Sequence, residues 1–208
     1  MRPSLQLSKL ECAATKRLER IRQFLIENQS FHGFEREARV AFATIETQNA
    51  WATFARCYYL SCTYGAQRRS GARISACKPI FNVNDAIGIA MQVWKKSVKP
   101  NSDGSWNRRS EPPWHNTVQF KRICKEAGLS NIQDIEDVFS TGERTYTDLP
   151  IARNYFTHRN EETERAAKRM AAANDVPGNL KPSELLLQRP LGRPQPLILD
   201  WLDSITFT

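Results

Sequence analysis

The sequence predicts an all-α protein: an antiparallel helical bundle with long basic loops and a Pro-rich C-terminal arm. Three observations carry that prediction. Apolar residues recur at three- and four-residue steps along most of the chain. Two long amphipathic stretches are separated only by a tight turn, the spacing of neighbouring antiparallel helices. Little of the chain alternates apolar and polar residues in the way that pairs into a sheet, and there is no internal repeat. At 208 residues the chain is expected to form one domain, 1–208, with 176–208 as its arm.

The first helix is read over 5–28, where Leu10, Ala14, Leu18, Ile21 and Leu25 make the apolar stripe and Lys16, Arg17, Glu19, Arg20, Arg22 and Gln23 lie between them. Phe31, His32, Gly33 and Phe34 form a turn. A longer helix follows over about 35–64, through Val40, Phe42, Ile45, Ala50, Phe54, Tyr58 and Leu60. Residues 65–81 interrupt the periodicity with a basic, flexible loop carrying Arg68, Arg69, Ser70, Gly71, Arg73 and Lys78. Asn82 or Asn84 then caps a third helix over 83–99, with Ile87, Ile89, Met91, Val93 and Trp94 as its apolar residues. A second long loop, 100–113, interleaves Trp106, Arg108 and Arg109 and leads to Trp114. Shorter helices near 116–127 and 132–139 precede a long one that starts at Asp148 and Pro150 and is stopped by Asn174, Pro177 and Gly178. Beyond it, Pro182, Pro190, Pro194 and Pro196 predict an extended, partly polyproline-like arm. It ends in a short helical or strand-like tail, 197–207, whose Trp201 and Leu202 need burial against the body or a neighbour.

Thirty Lys+Arg against 22 Asp+Glu give a formal net charge of +8. Twenty of the cations are Arg, whose planar fork suits phosphate. A polyanion is the favoured partner, and nucleic acid is the commonest one. The 40% hydrophobic content is enough for an ordinary core. Five cysteines, Cys12, Cys57, Cys62, Cys77 and Cys124, include no Cys-x2-Cys pair and no His at zinc-ligand spacing. They read as reduced, buried thiols, and no metal or other cofactor is expected. The first residues lack an apolar core of signal-peptide length, and no stretch approaches the ~20 apolar residues of a membrane span, so a cytoplasmic location without membrane contact is expected.

The stretch Asp148-Leu-Pro-Ile-Ala-Arg153-Asn154-Tyr-Phe-Thr-His158-Arg159-Asn160 is the most informative. Residues placed at about 100° each put Leu149, Ala152, Phe156, Thr163, Ala167 and Met170 on one side, the core stripe. Asn154 and His158 are four apart and share a face opposite it, with Glu161, Arg165 and Arg169. Arg153 lies between the two faces, with a side chain long enough to swing toward His158. The trio therefore faces water or a partner. Histidine suits proton transfer near neutral pH, and arginine suits the stabilisation of charge on phosphate.

An Arg-Asn-x-x-x-His run at the start of a helix, in an otherwise helical chain of this size, resembles the HEPN superfamily, whose ribonuclease branches carry an Arg-x4-His motif. The resemblance implies that two protomers pair so that both motifs line one cleft, which cuts RNA without a metal. Arg153 and His158 would be the catalytic pair and Asn154 the supporting polar residue. It further implies a toxin or anti-phage effector, with an antitoxin or regulatory partner possible. Some toxin branches carry a modifiable tyrosine two residues after the His. Asn160 stands there in this chain, which weakens the case for such regulation. Arg159, Arg68, Arg69, Arg73, Trp106, Arg108 and Arg109 are the residues expected to contact RNA. Two alternatives stay open: a non-catalytic helical module of the same fold that binds RNA or a protein, and an unrelated helical adaptor for an acidic protein.

Overall fold

The computed structural model describes residues 1–27, 32–140, 144–177 and 179–205, and among them it is all-helical, with no strand. Among the described residues nine α-helices run in order: α1 (Leu7–Glu27), α2 (Gly33–Thr63), α3 (Val83–Trp94), α4 (Thr117–Ala127), α5 (Ile132–Val138), α6 (Thr145–His158), α7 (Glu161–Ala172), α8 (Pro182–Leu185) and α9 (Leu197–Ser204). A 3-10 turn, Arg108–Ser110, lies between α3 and α4. Asn28, Phe31, Gly178 and Phe207, which the sequence places at ends of helices, turn and tail, lie outside the described residues. The chain divides into two compact units, Met1–Ala14 with Trp51–Glu143 and Thr15–Ala50 with Arg144–Thr208, so α1 and α2 each contribute residues to both.

The first unit is organised around aromatic rings. Trp51 and Phe54 on α2 meet at 6.0 Å, and Trp51 is packed edge-on by Phe120 (6.1 Å) and Phe139 (5.7 Å). Edge-to-face pairs of this kind add ~0.5–1.5 kcal/mol each beyond the area they bury. The polar ends of these rings are satisfied: Trp51 Nε1 donates to the His115 carbonyl at 3.1 Å, and the Tyr59 hydroxyl donates to the Ala86 carbonyl at 2.8 Å. Asn82, one of the two expected caps, accepts from Asp85 N, and the Asp85 side chain returns the bond, a closed capping box that fixes the start of α3. Gly128 ends α4 at φ +67, and a Cβ there would sit 2.7 Å from the Cys77 Cβ, so both backbone and space require glycine.

The two loops of this unit are built rather than slack. Residues 65–81, expected to be flexible, fold back on themselves: Arg68 N donates to Ala72 O (2.9 Å) and Ile74 N to Ala66 O (2.9 Å), with Gly71 turning at φ +83. Ile74, fully buried, anchors the turn. In the second loop Trp106 lies over Gly88 of α3, so closely that a Cβ there would meet its Nε1 at 3.0 Å. Glu111 closes the loop, accepting from both Arg56 Nε (2.5 Å) and Nη2 (2.8 Å) and from Trp114 Nε1 (2.9 Å).

In the second unit α1 and α2 run antiparallel: Arg17 pairs with Glu46 (2.7 Å), and further along Phe24 packs edge-on against Phe42 (5.2 Å). The arm is not an extended polyproline segment. Pro182 opens α8, Pro196 precedes α9, and Ile198 N donates to Leu186 O (3.0 Å), folding the arm into a compact turn. Pro182 at the first helical position of α8 wastes no donor, so proline there starts a helix instead of extending the chain. Trp201 and Leu202 are buried as the sequence requires, and α9 lies against α6.

All five cysteines are free, but only Cys57, Cys62 and Cys124 are buried. Cys12 and Cys77 are exposed, which corrects the expectation of five buried thiols. Burial pushes the Cys62 thiol up to about 12 and raises Cys57 and Cys124 as well, leaving them inert.

Candidate functional site

The candidate residues sit on α6, and its start differs from the one the sequence suggests. Asp148 does not cap the helix. It lies inside the first turns, buried, and accepts from Asn174 Nδ2 at 2.7 Å, while the same Nδ2 donates to Met170 O at 2.9 Å. Arg144 Nε stands 3.5 Å from Asp148, and its Nη1 donates to Ala173 O at 2.7 Å. Asp148 and Arg144 thus pin the end of α7 to the beginning of α6. A buried carboxylate is tolerated because it is paired and hydrogen-bonded.

The long helix expected over 148–173 is two helices. α6 ends at His158, and Arg159 turns left-handed at φ 45, ψ 45. Asn160 then caps α7: its side chain accepts from Thr163 N (2.9 Å), and Thr163 Oγ1 accepts from Asn160 N (3.2 Å). Glu161, Glu162 and Glu164 follow in the first turn, where acidic side chains favour a helix start. Asn160→Ala is therefore expected to cost about 1 kcal/mol in a denaturant titration, with Asn160→Asp close to the parent. In an unbroken helix alanine would be neutral or stabilising there, so the sign of the change tests the break.

Most of the core stripe survives the break, with Leu149, Ala152, Phe156, Ala167 and Met170 buried, while Thr163 is half-buried and engaged in the cap of α7. Asn154 and His158 are exposed, and Arg153 is half-buried. Among the described residues no hydrogen bond or ion pair joins the three side chains to each other. Arg153 Nε is buried without a hydrogen-bond partner, an uncompensated donor that costs ~1–3 kcal/mol. The motif occupies the C-terminal end of α6 rather than the start of a helix. The helix start beside His158 belongs to α7 and is filled by its own capping box.

One neighbour of the motif was invisible to sequence reasoning. Glu37 on α2 pairs with Arg159 at 2.8 Å across 122 positions, which no local pattern reveals. Tyr155, half-buried with its ring 5.2 Å from Phe156, has its hydroxyl raised by burial first, then by Glu37 and Glu164. Arg165 pairs with Glu161 one turn back rather than facing His158.

The other expected RNA contacts lie in the first unit. Arg68 pairs with Asp134, Arg69 stands 3.6 Å from Glu11, and Arg73 Nε donates to Gly65 O at 3.1 Å. Trp106 is half-buried on Gly88, and Trp114 is buried with its ring 5.5 Å from Tyr59, so both tryptophans anchor their loop. Arg108 and Arg109 are exposed on the 3-10 turn with no acidic partner among the described residues. No group of three or more His, Cys, Asp or Glu is placed to hold a metal ion among the described residues, and none of their helices is long and apolar enough to cross a membrane. No family model, curated protein or solved structure matches the chain.

Proposed function

We propose that the chain is a metal-independent endoribonuclease of HEPN type, with the bundle architecture of that superfamily, cutting RNA at a site composed from two copies of Arg153, Asn154 and His158. The observation that carries this reading is the exposure of Asn154 and His158 on one turn of α6, beside half-buried Arg153, with no hydrogen bond or ion pair joining the three side chains among the described residues. Exposed polar side chains in that state are open to a substrate or to a second protomer.

The chemistry fits two copies. One imidazole takes the proton of the 2′-hydroxyl as the O2′–P bond forms. The second imidazole gives its proton to the departing 5′-oxygen as the P–O5′ bond breaks. Arg153 meets the charge that builds on the phosphorus oxygens. The products are a 2′,3′-cyclic phosphate and a 5′-hydroxyl. DNA lacks the nucleophile and is not cut. One protomer offers a single motif histidine, so a two-fold pair supplies both proton transfers. The net charge of +8 supports a polyanionic substrate. The HEPN likeness adds a role as a cytoplasmic toxin or anti-phage effector, restrained by an antitoxin or regulatory partner.

Purified chain incubated with total RNA in EDTA is expected to fragment it while leaving DNA of matched length intact. Intact RNA under those conditions favours the second reading, a non-catalytic helical module that binds RNA or a protein partner. That reading is supported by the lack, among the described residues, of a hydrogen bond that orients the Asn154 or His158 side chain.

A further inference from the structure

The basic excess is not spread evenly. The first unit holds 15 Lys+Arg against 9 Asp+Glu, net +6, and the second holds 15 against 13, net +2. The cations of the 65–81 loop are largely committed to Asp134, Glu11 and the Gly65 carbonyl. A different part of the same unit keeps its charge free. Between α3 and α4 an open groove of about 480 Å³ is lined by Ile89, Gln92, Val93 and Lys96 from the α3 side, Arg122 and Glu126 from α4, and Lys78. Ile89, Gln92 and Val93 recur at helical three- and four-residue steps on α3, Arg122 and Glu126 are one turn apart on α4, and Lys96 follows in the turn just beyond α3.

Three cations surround one acid here. Lys78 pairs with Glu126, and the Glu126 carboxyl is held below its ordinary range by that bond first, with Arg122 and Lys96 adding to the field. Lys96 and Arg122 are exposed and have no acidic partner of their own among the described residues. Arg122 stands in the middle of α4, where the helix dipole gives it no role. Half-buried Ile89 and Val93 give the groove an apolar floor beneath its charged rim.

We propose that the α3–α4 groove is a backbone site for an RNA strand, with Lys96 and Arg122 each neutralising a phosphate and Gln92 offering a hydrogen bond between them. The proposal rests on the RNA-directed reading of the chain but not on cleavage. Glu126 limits affinity by occupying Lys78 and by its own charge.

The test is fluorescence anisotropy with labelled oligouridine, titrated at several salt concentrations on the intact chain. Lys96→Gln/Arg122→Gln is expected to weaken binding about tenfold near physiological salt and to lower the salt slope by about 1.4, ~0.7 per lost phosphate contact. Arg20→Gln/Arg189→Gln removes the same charge from the second unit and is expected to leave the slope near the parent value. Glu126→Gln is expected to tighten binding, a gain that misfolding does not produce. Equal losses in the two double variants overturn the site. So does a parent chain that fails to bind the RNA, which would leave an acidic protein as the occupant these charges fit. Binding with these slopes while the RNA stays whole sinks the nuclease reading and keeps the groove. Cleavage with an unchanged slope does the reverse.

Discussion

His158→Ala is expected to reduce RNA cleavage about a thousandfold, within the ~10²–10⁴ that a positioned general acid or base contributes. The variant should fold normally. His158 is exposed, is the last residue of α6, and has no hydrogen-bond or ion-pair partner among the described residues, so truncation removes nothing that holds the chain together. Circular dichroism and the unfolding midpoint should match the parent within ~0.5 kcal/mol, as for surface substitutions away from special features. Arg153→Lys makes a sharper companion than alanine. It keeps the charge and most of the stem but loses the fork that presents paired donors to phosphate oxygens. A large loss of cleavage with an intact fold is expected there too. Cleavage by His158→Ala within a few-fold of the parent would remove the imidazole from the mechanism.

Trp201→Ala is expected to be the most destabilising single change considered, at ~3–5 kcal/mol for emptying a large aromatic site in the core. Trp201 is only 2% exposed and lies on α9 among Leu197, Ile198 and Leu202, all buried. Against a typical total stability of ~5–15 kcal/mol, such a loss unfolds a sizeable fraction of the protein. α9 lies against α6, so the helix carrying Arg153 and His158 depends on the tail for one of its packing surfaces. Chemical denaturation measures the effect, with Leu191→Ala as the control because that side chain is 85% exposed. A cost below ~1 kcal/mol for Trp201→Ala would mean that the tail is not part of the core.

These two residues also mark what sequence reasoning can and cannot reach. The need to bury Trp201 was plain from its chemistry, and its burial followed. Its route is not plain, because Pro182 and Pro196 suggest an extended, partly polyproline-like arm, whereas they stand at the starts of α8 and α9. Local patterns were reliable: the stripe of Leu149, Ala152, Phe156, Ala167 and Met170 is buried, and Asn82 caps α3. The break after His158 had a local signal too, Asn160 three before Thr163 with glutamates following. It was outweighed by the continuous apolar periodicity on both sides. Asp148 misled because an acid near a proline resembles a helix start, whereas its partner Asn174 lies 26 positions away. Arg68 with Asp134 and Arg159 with Glu37 are likewise long-range pairs. Charge in a sequence shows a basic loop, and only the fold shows which cations are already spoken for.

The most direct measurement maps the cut positions in a defined RNA oligonucleotide incubated in EDTA, then repeats the incubation with one 2′-deoxy substitution immediately 5′ to a cut linkage. The account predicts fragments ending in a 2′,3′-cyclic phosphate, and complete protection of the substituted linkage alone. A cut through the deoxy-substituted linkage, or RNA left whole by the parent chain, would contradict it.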